Sequence, residues 1–300
     1  MLFRSANDKD MPAPHSAVFS IPVTQIEPGN AADQLPTYLD QPVLRAARKF
    51  EEFAQSPDKH WIFLTTAFDR IKPGSADFDA YNTLLAWHPD QEGNPQVVGA
   101  DSGATTSLAL RRQLQTALGG SPYFKIEGLA ATDTDLWFGI REQGDRYDKF
   151  TYRITLLRAP YRTQTSPNGQ DRVVLSAPVF VRDISVTDAD TTLPKPLAIS
   201  SIEFDPARRC FWLLTSYEQT DHIGAYLWVI SETAMQTNGP LQLVRSPDGK
   251  PLSFSHKAED MTFFDANTLF IIHDDDRVRS RIGPRERQPN QAPYSVVTLE

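Results

Sequence analysis

From about residue 50 to the end, the chain is a series of short apolar runs, each closed by turn-forming residues. The first group predicts strands over Phe50 to Gln55, Trp61 to Thr66, Tyr81 to Trp87 and Gln96 to Gly99. Ser56-Pro57-Asp58-Lys59 separates the first two and is good turn chemistry, because Pro presets φ and Asp bonds its own backbone. Leu108, Leu110, Leu114 and Leu118 recur at near-helical spacing, so Ser107 to Leu118 reads as a short helix ended by Gly119-Gly120. A second group predicts strands over Phe124 to Ala131, Leu136 to Ile140, Thr151 to Leu157 and Arg172 to Val181. A third predicts them over Ile199 to Phe204, Phe211 to Ser216, Ala225 to Ser231 and Leu241 to Val244. The last gives Lys257 to Phe264, Leu269 to His273 and Tyr294 to Leu299. Ahead of them, residues 1–45 form a polar leader with one strand, Ala17 to Val23, which Pro22 restricts to an edge. Gln41 to Phe53 carries some helical periodicity.

The groups share a layout. Lys-x-Glu opens three of them, at Lys49 to Glu51, Lys125 to Glu127 and Lys257 to Glu259. Ten residues after each Glu a large apolar residue (Trp61, Trp137, Leu269) opens the next run, and Ser201 stands ten before Phe211 in the group without Lys-x-Glu. Repeats about one small sheet long indicate a propeller or related array. The fold expected is therefore an all-β propeller of antiparallel meander blades over residues 46–300, four clear blades plus a partial N-terminal unit. The last group lacks an outer strand, and Ala17 to Val23 is the candidate to close it beside Tyr294 to Leu299.

Composition narrows the classes. At 40% hydrophobic and 10% aromatic the chain can bury a core, and 15 Gly with 23 Pro suit many turns better than long helices. A net charge of -8 argues against nucleic acid and anionic membranes as partners. No apolar run is long enough to span a bilayer as a helix. Met1 to Phe19 has charged and Pro residues where a signal peptide has a basic start and an apolar stretch. By that pattern the chain is expected to be cytoplasmic, or periplasmic or secreted if residues precede Met1; separately, a monomer is expected. Cys210, the single cysteine, sits beside Phe211 and Trp212 and reads as core. His60 and His222 read as isolated surface residues, and Trp87, Trp212 and Trp228 as packing between blades.

Lys125-Ile126-Glu127-Gly128-Leu129-Ala130 followed by Phe138-Gly139-Ile140-Arg141 resembles the signature of a bacterial propeller family, domain of unknown function 3616. Ile199 to Pro206 and Ala258 to Asp276 are similar to further parts of that pattern, whereas Glu51-Glu52-Phe53 departs from its Glu-Gly-apolar step. Looser similarity reaches phytase-like and gluconolactonase-like propellers. The resemblance implies a propeller, and for the looser relatives a divalent cation; it implies no particular activity.

Hairpin geometry suggests where the charges meet. If each hairpin is centred about seven residues past the Glu, then Glu51 pairs with Thr65, Glu127 with Arg141, Ser201 with Thr215 and Glu259 with His273. All would gather at one channel mouth, a candidate site for a small molecule or a protein built from Glu51, Glu127, Arg141, Glu259 and His273. Hard cations take several oxygen ligands, so Ca2+ is the cofactor such a mouth would hold, through Glu127, Glu259, Asp274 and Asp275. In the alternative reading, a metal-dependent phosphoester or lactone hydrolase, His273 is the general base. The same pairs also serve, with no ligand, to satisfy the polar ends of inner strands, and Asp274-Asp275-Asp276 fits a solvated turn. No Gly-rich phosphate loop, zinc-type Cys/His pattern or nucleophile elbow is present.

Overall fold

A computed structural model describes residues 2–5, 15–21, 37–91, 94–99, 103–186, 192–219, 222–275, 280–288 and 291–299. In chain order these hold β1 (Leu2–Ser5), β2 (Val18–Ile21), β3 (Thr37–Tyr38), α1 (Pro42–Ala46), β4 (Phe50–Gln55), β5 (Ile62–Thr66), β6 (Leu84–Trp87) and β7 (Gln96–Val98). There follow α2 (Leu108–Ala117), β8 (Tyr123–Ala131), β9 (Asp135–Arg146), β10 (Lys149–Thr165), β11 (Asp171–Leu175), β12 (Val179–Asp183) and β13 (Ala198–Asp205). The remainder is β14 (Cys210–Gln219), β15 (His222–Ser231), α3 (Glu232–Gln236), β16 (Gln242–Leu243), β17 (Ser253–Phe254), β18 (Ala258–Asp265), β19 (Thr268–His273), β20 (Arg281–Ile282), β21 (Arg285–Glu286) and β22 (Tyr294–Thr298).

The class is the expected all-β propeller, built from four blade-type antiparallel sheets. Their strand orders are β4-β5-β6-β7, β8-β9-β10-β11, β13-β14-β15-β16 and β18-β19-β22. The chain divides into two compact units. The first holds residues 1–151 and 156–180, and the second residues 152–155 and 181–300.

In the first unit, period-two alternation sets the packing. Phe63, Leu84 and Ala86 face α2 and the second blade, meeting Leu110, Leu114, Phe124, Leu129 and Phe138 in one core. Their neighbours Ile62, Leu64, Leu85 and Trp87 face the other way, onto Val18, Leu39, Leu44 and Ala47. β5 and β6 are buried on both faces, which is why Ile62-Phe63-Leu64 and Leu84-Leu85-Ala86-Trp87 read as continuous apolar runs. The α2 boundaries match the leucine spacing, and Gly119 and Gly120 both take positive φ (69° and 85°) just past its end. In the second unit, Trp212, Leu214, Ala225 and Leu227 of the third blade bury against Ala258, Met261, Leu269 and Ile271 of the fourth.

Three expectations are corrected. β2 does not join the sheet of β22; it is hydrogen-bonded to β1 and β3, and Val18 is buried in the first-blade core, while Pro22 and Val23 fall outside the described residues. The described part of the leader thus buries Val18, Leu39 and Leu44 against the first blade. The strand expected over Arg172 to Val181 is two strands, β11 and β12, because Pro178 in the Ser176-Ala177-Pro178 link lacks a ladder donor. The helical periodicity of Gln41 to Phe53 yields only α1, after which the chain enters β4.

Candidate functional site

The Lys-x-Glu positions are the starts of inner strands, and each Glu there is a bulge. In the first blade Phe50 pairs with Thr66 and Glu52 with Thr65, so Glu51 is the extra residue. In the last, Ala258 pairs with His273 and Asp260 with Ile272, leaving Glu259 between them. The third blade does the same one residue earlier than expected, at Ser200, with Thr215 opposite Ile199. The second has irregularities on both sides of Ile126, and Lys125 lies opposite Glu142. The expected pairing of each Glu with the residue fourteen further on is therefore displaced by one position in the first, third and fourth blades. A bulge bends its strand and turns the extra side chain out of the alternation, which no count along the sequence registers.

In the first unit the bulges collect a buried ionic network. Lys49 Nζ lies 2.6 Å from Asp69 Oδ2 and 3.8 Å from Glu51 Oε1, and Lys125 Nζ is also 3.8 Å from Glu51 Oε1. Lys125 is hydrogen-bonded to Glu127, whose other oxygen lies 3.2 Å from Arg141 Nε. Glu127 and Arg141 thus meet as expected, although they are not register partners. Glu127, Arg141 and Asp69 are almost wholly buried. Burial alone would lower the Lys125 pKa, but the carboxylates of Glu127, Glu51 and Glu142 outweigh it and hold the ammonium well above its ordinary value. Beside them Tyr123 is hydrogen-bonded to Glu142, and burial with that carboxylate pushes its phenol up.

In the second unit Lys257 Nζ lies 2.6 Å from Glu259 Oε1 and 3.0 Å from Glu218 Oε1. The lysine side chain is 8% exposed, those of Glu259 and Glu218 24% and 40%. His273 is fully buried, and its Nε2 is 2.8 Å from Ser295 Oγ, which ties β19 to β22. Asp275 accepts from the Lys257 backbone N–H at 3.0 Å and lies 2.7 Å from His256 Nδ1. Burial would raise its carboxyl, yet these bonds hold it below the ordinary range. Asp276 lies outside the described residues. Cys210 is buried as expected, and burial with the Asp205 charge pushes its thiol up to about 11, far from a nucleophilic thiolate at neutral pH.

His60 is not isolated, which corrects the sequence reading. With His88 and Asp171 it offers three ligand atoms within 4.8 Å of one another, on the wall of a cleft of about 500 Å³ in the first unit. The β5–β6 register, which pairs Ile62 with Trp87, brings the two histidines together. Asp171 arrives from the second blade, where the Gln96 amide donates to its carbonyl at 3.2 Å and accepts from the Val173 N–H at 3.3 Å. The histidine pair was latent in the predicted hairpin; the aspartate was not.

No protein-family model matches the chain, and no curated protein matches it significantly. Among solved structures it is similar to the Dos1 propeller, at 11% identity and a TM-score of 0.31 over 76% of this chain and 68% of that one. It is also similar to the α-L-arabinofuranosidase PaAbf62A from Podospora anserina in complex with cellotriose, at 12% identity and a TM-score of 0.26 over 84% of this chain and 90% of that one.

Proposed function

We propose that the chain is a binding module which takes a positively charged group, on a small ligand or on a partner protein, at the Lys-x-Glu end of the second unit's blades. One observation carries this reading: Glu218 and Glu259 meet at Lys257 with side chains 40% and 24% exposed, so two carboxylates face a donor arriving from solvent at one point. An amine or guanidinium entering there gains charge-assisted hydrogen bonds to these carboxylates. The first unit's network is more deeply buried, which suits it to holding its strands together. This reading is preferred to a metal-dependent phosphoester or lactone hydrolase because His273, the general-base candidate, is buried and spends Nε2 on Ser295, while Asp275 is engaged by His256 and the Lys257 backbone.

The test is thermal melting of wild type, Glu218→Gln and Glu259→Gln with arginine amide, and separately with Ca2+ or chelator. A ligand at a hundredfold excess over its dissociation constant stabilises by about 2.7 kcal/mol, a rise on the order of 4 °C for a chain this long. Arginine amide is expected to raise the wild-type melting temperature and to lose most of that effect in both variants. No rise, or an equal rise in the variants, refutes the proposal. A Ca2+-only rise that Glu259→Gln abolishes would instead support the cation-dependent hydrolase.

A further inference from the structure

Among the described residues, His60, His88 and Asp171 are the one group of three metal-ligating side chains close enough to share an ion. Their positions are built rather than incidental. His88 Nδ1 lies 2.8 Å from the His60 carbonyl oxygen. A carbonyl can only accept, so Nδ1 carries the proton and Nε2 keeps its lone pair, the arrangement in which metal-binding imidazoles are held by a second hydrogen bond. The His88 ring also packs on Trp61, with centroids 4.0 Å apart, and Trp61 is in turn anchored by its Nε1–H to Thr163 Oγ1 at 2.9 Å. Asp171 Oδ1 accepts from Thr165 Oγ1 at 2.6 Å, and Oδ2 faces His60 Nε2 at 3.8 Å.

We propose that these three side chains form a binding site for a divalent transition-metal ion, with Zn2+ as the ion they fit. Two imidazole nitrogens and one carboxylate oxygen form the ligand set of many open zinc sites, whereas Ca2+ and Mg2+ take oxygen ligands. Tetrahedral Zn2+ needs its ligand atoms roughly 3.3 Å apart, from bonds of about 2.0–2.1 Å. The His60–Asp171 distance is already near that, and the half-exposed His60 ring can swing to complete the approach. The fourth position opens onto the cleft, which Gln55, Lys59, Pro89 and Asp90 also line, leaving room for water or an exogenous ligand. Such an ion joins the turn after β4, the end of β6 and the start of β11, so it clips the first blade to the second within the first unit. The site is separate from the Glu218–Lys257–Glu259 cluster and does not depend on it.

Calorimetric titration of the full chain, freed of metal by chelator, with zinc chloride decides the matter. Wild type is expected to bind one Zn2+ per chain and to melt higher with it. His60→Ala and Asp171→Asn should each weaken binding at least tenfold, while His222→Ala, in the second unit, should not. Both variants should match wild type in melting temperature in chelator, since His60 is exposed and the amide of Asp171→Asn still accepts from Thr165. Millimolar Ca2+ should not compete. The proposal is overturned if wild type shows no saturable one-to-one binding, if the His60 and Asp171 variants bind as wild type does, or if Ca2+ displaces the ion.

Discussion

Glu127→Gln tests whether the ionic network of the first unit holds its blades. The carboxylate is 3% exposed and bonded to Lys125 on one side and Arg141 on the other. The amide keeps the shape and removes the charge that Lys125 and Arg141 share, while Glu51, 3.8 Å from Lys125, remains. Removing one partner of a buried ion pair costs about 3–5 kcal/mol, and the remaining Glu51 contact places this case near the lower figure. At about 2.1 cal/mol/K per residue, about 3 kcal/mol lowers the melting temperature of a chain this long by roughly 5 °C. The assay is differential scanning calorimetry with urea unfolding at neutral pH, including Arg141→Met and the double variant. The double variant should recover part of the loss, with a coupling on the order of 0.5–3 kcal/mol. A Glu127→Gln protein melting within about 1 °C of wild type, or strictly additive losses, would refute the argument.

Two further outcomes follow from the same contacts. The Lys125 pKa is raised in the folded chain, so its contribution is complete below the unfolded lysine value of about 10.4 and fades as pH climbs above it; wild-type melting should fall more steeply beyond that point than that of Lys125→Met, and parallel profiles would exclude the effect. His273→Ala removes a fully buried ring and its bond to Ser295, and should destabilise by about 2–4 kcal/mol; calorimetry showing no loss would mean that β22 is held without it.

What the sequence determined by itself is the local layer: strands, turns, the α2 helix and four blade-like groups. Side-chain alternation and turn chemistry are properties of a few neighbouring residues, and they set φ, ψ and facing before any distant contact forms. The charged strand starts were legible for the same reason, and so was the meeting of Glu127 with Arg141. Tertiary structure decided the rest. The bulges at Glu51, Ser200 and Glu259 are invisible to counting, because an extra residue on one strand changes the pairing across the hairpin without changing the spacing of residue types along the chain. The fate of Val18 was settled by the apolar pocket of Leu39, Leu44 and Trp87 rather than by its own pattern. Asp171 reached His60 and His88 only through the packing of β11 against β7, a contact between residues far apart in the chain that no local periodicity encodes.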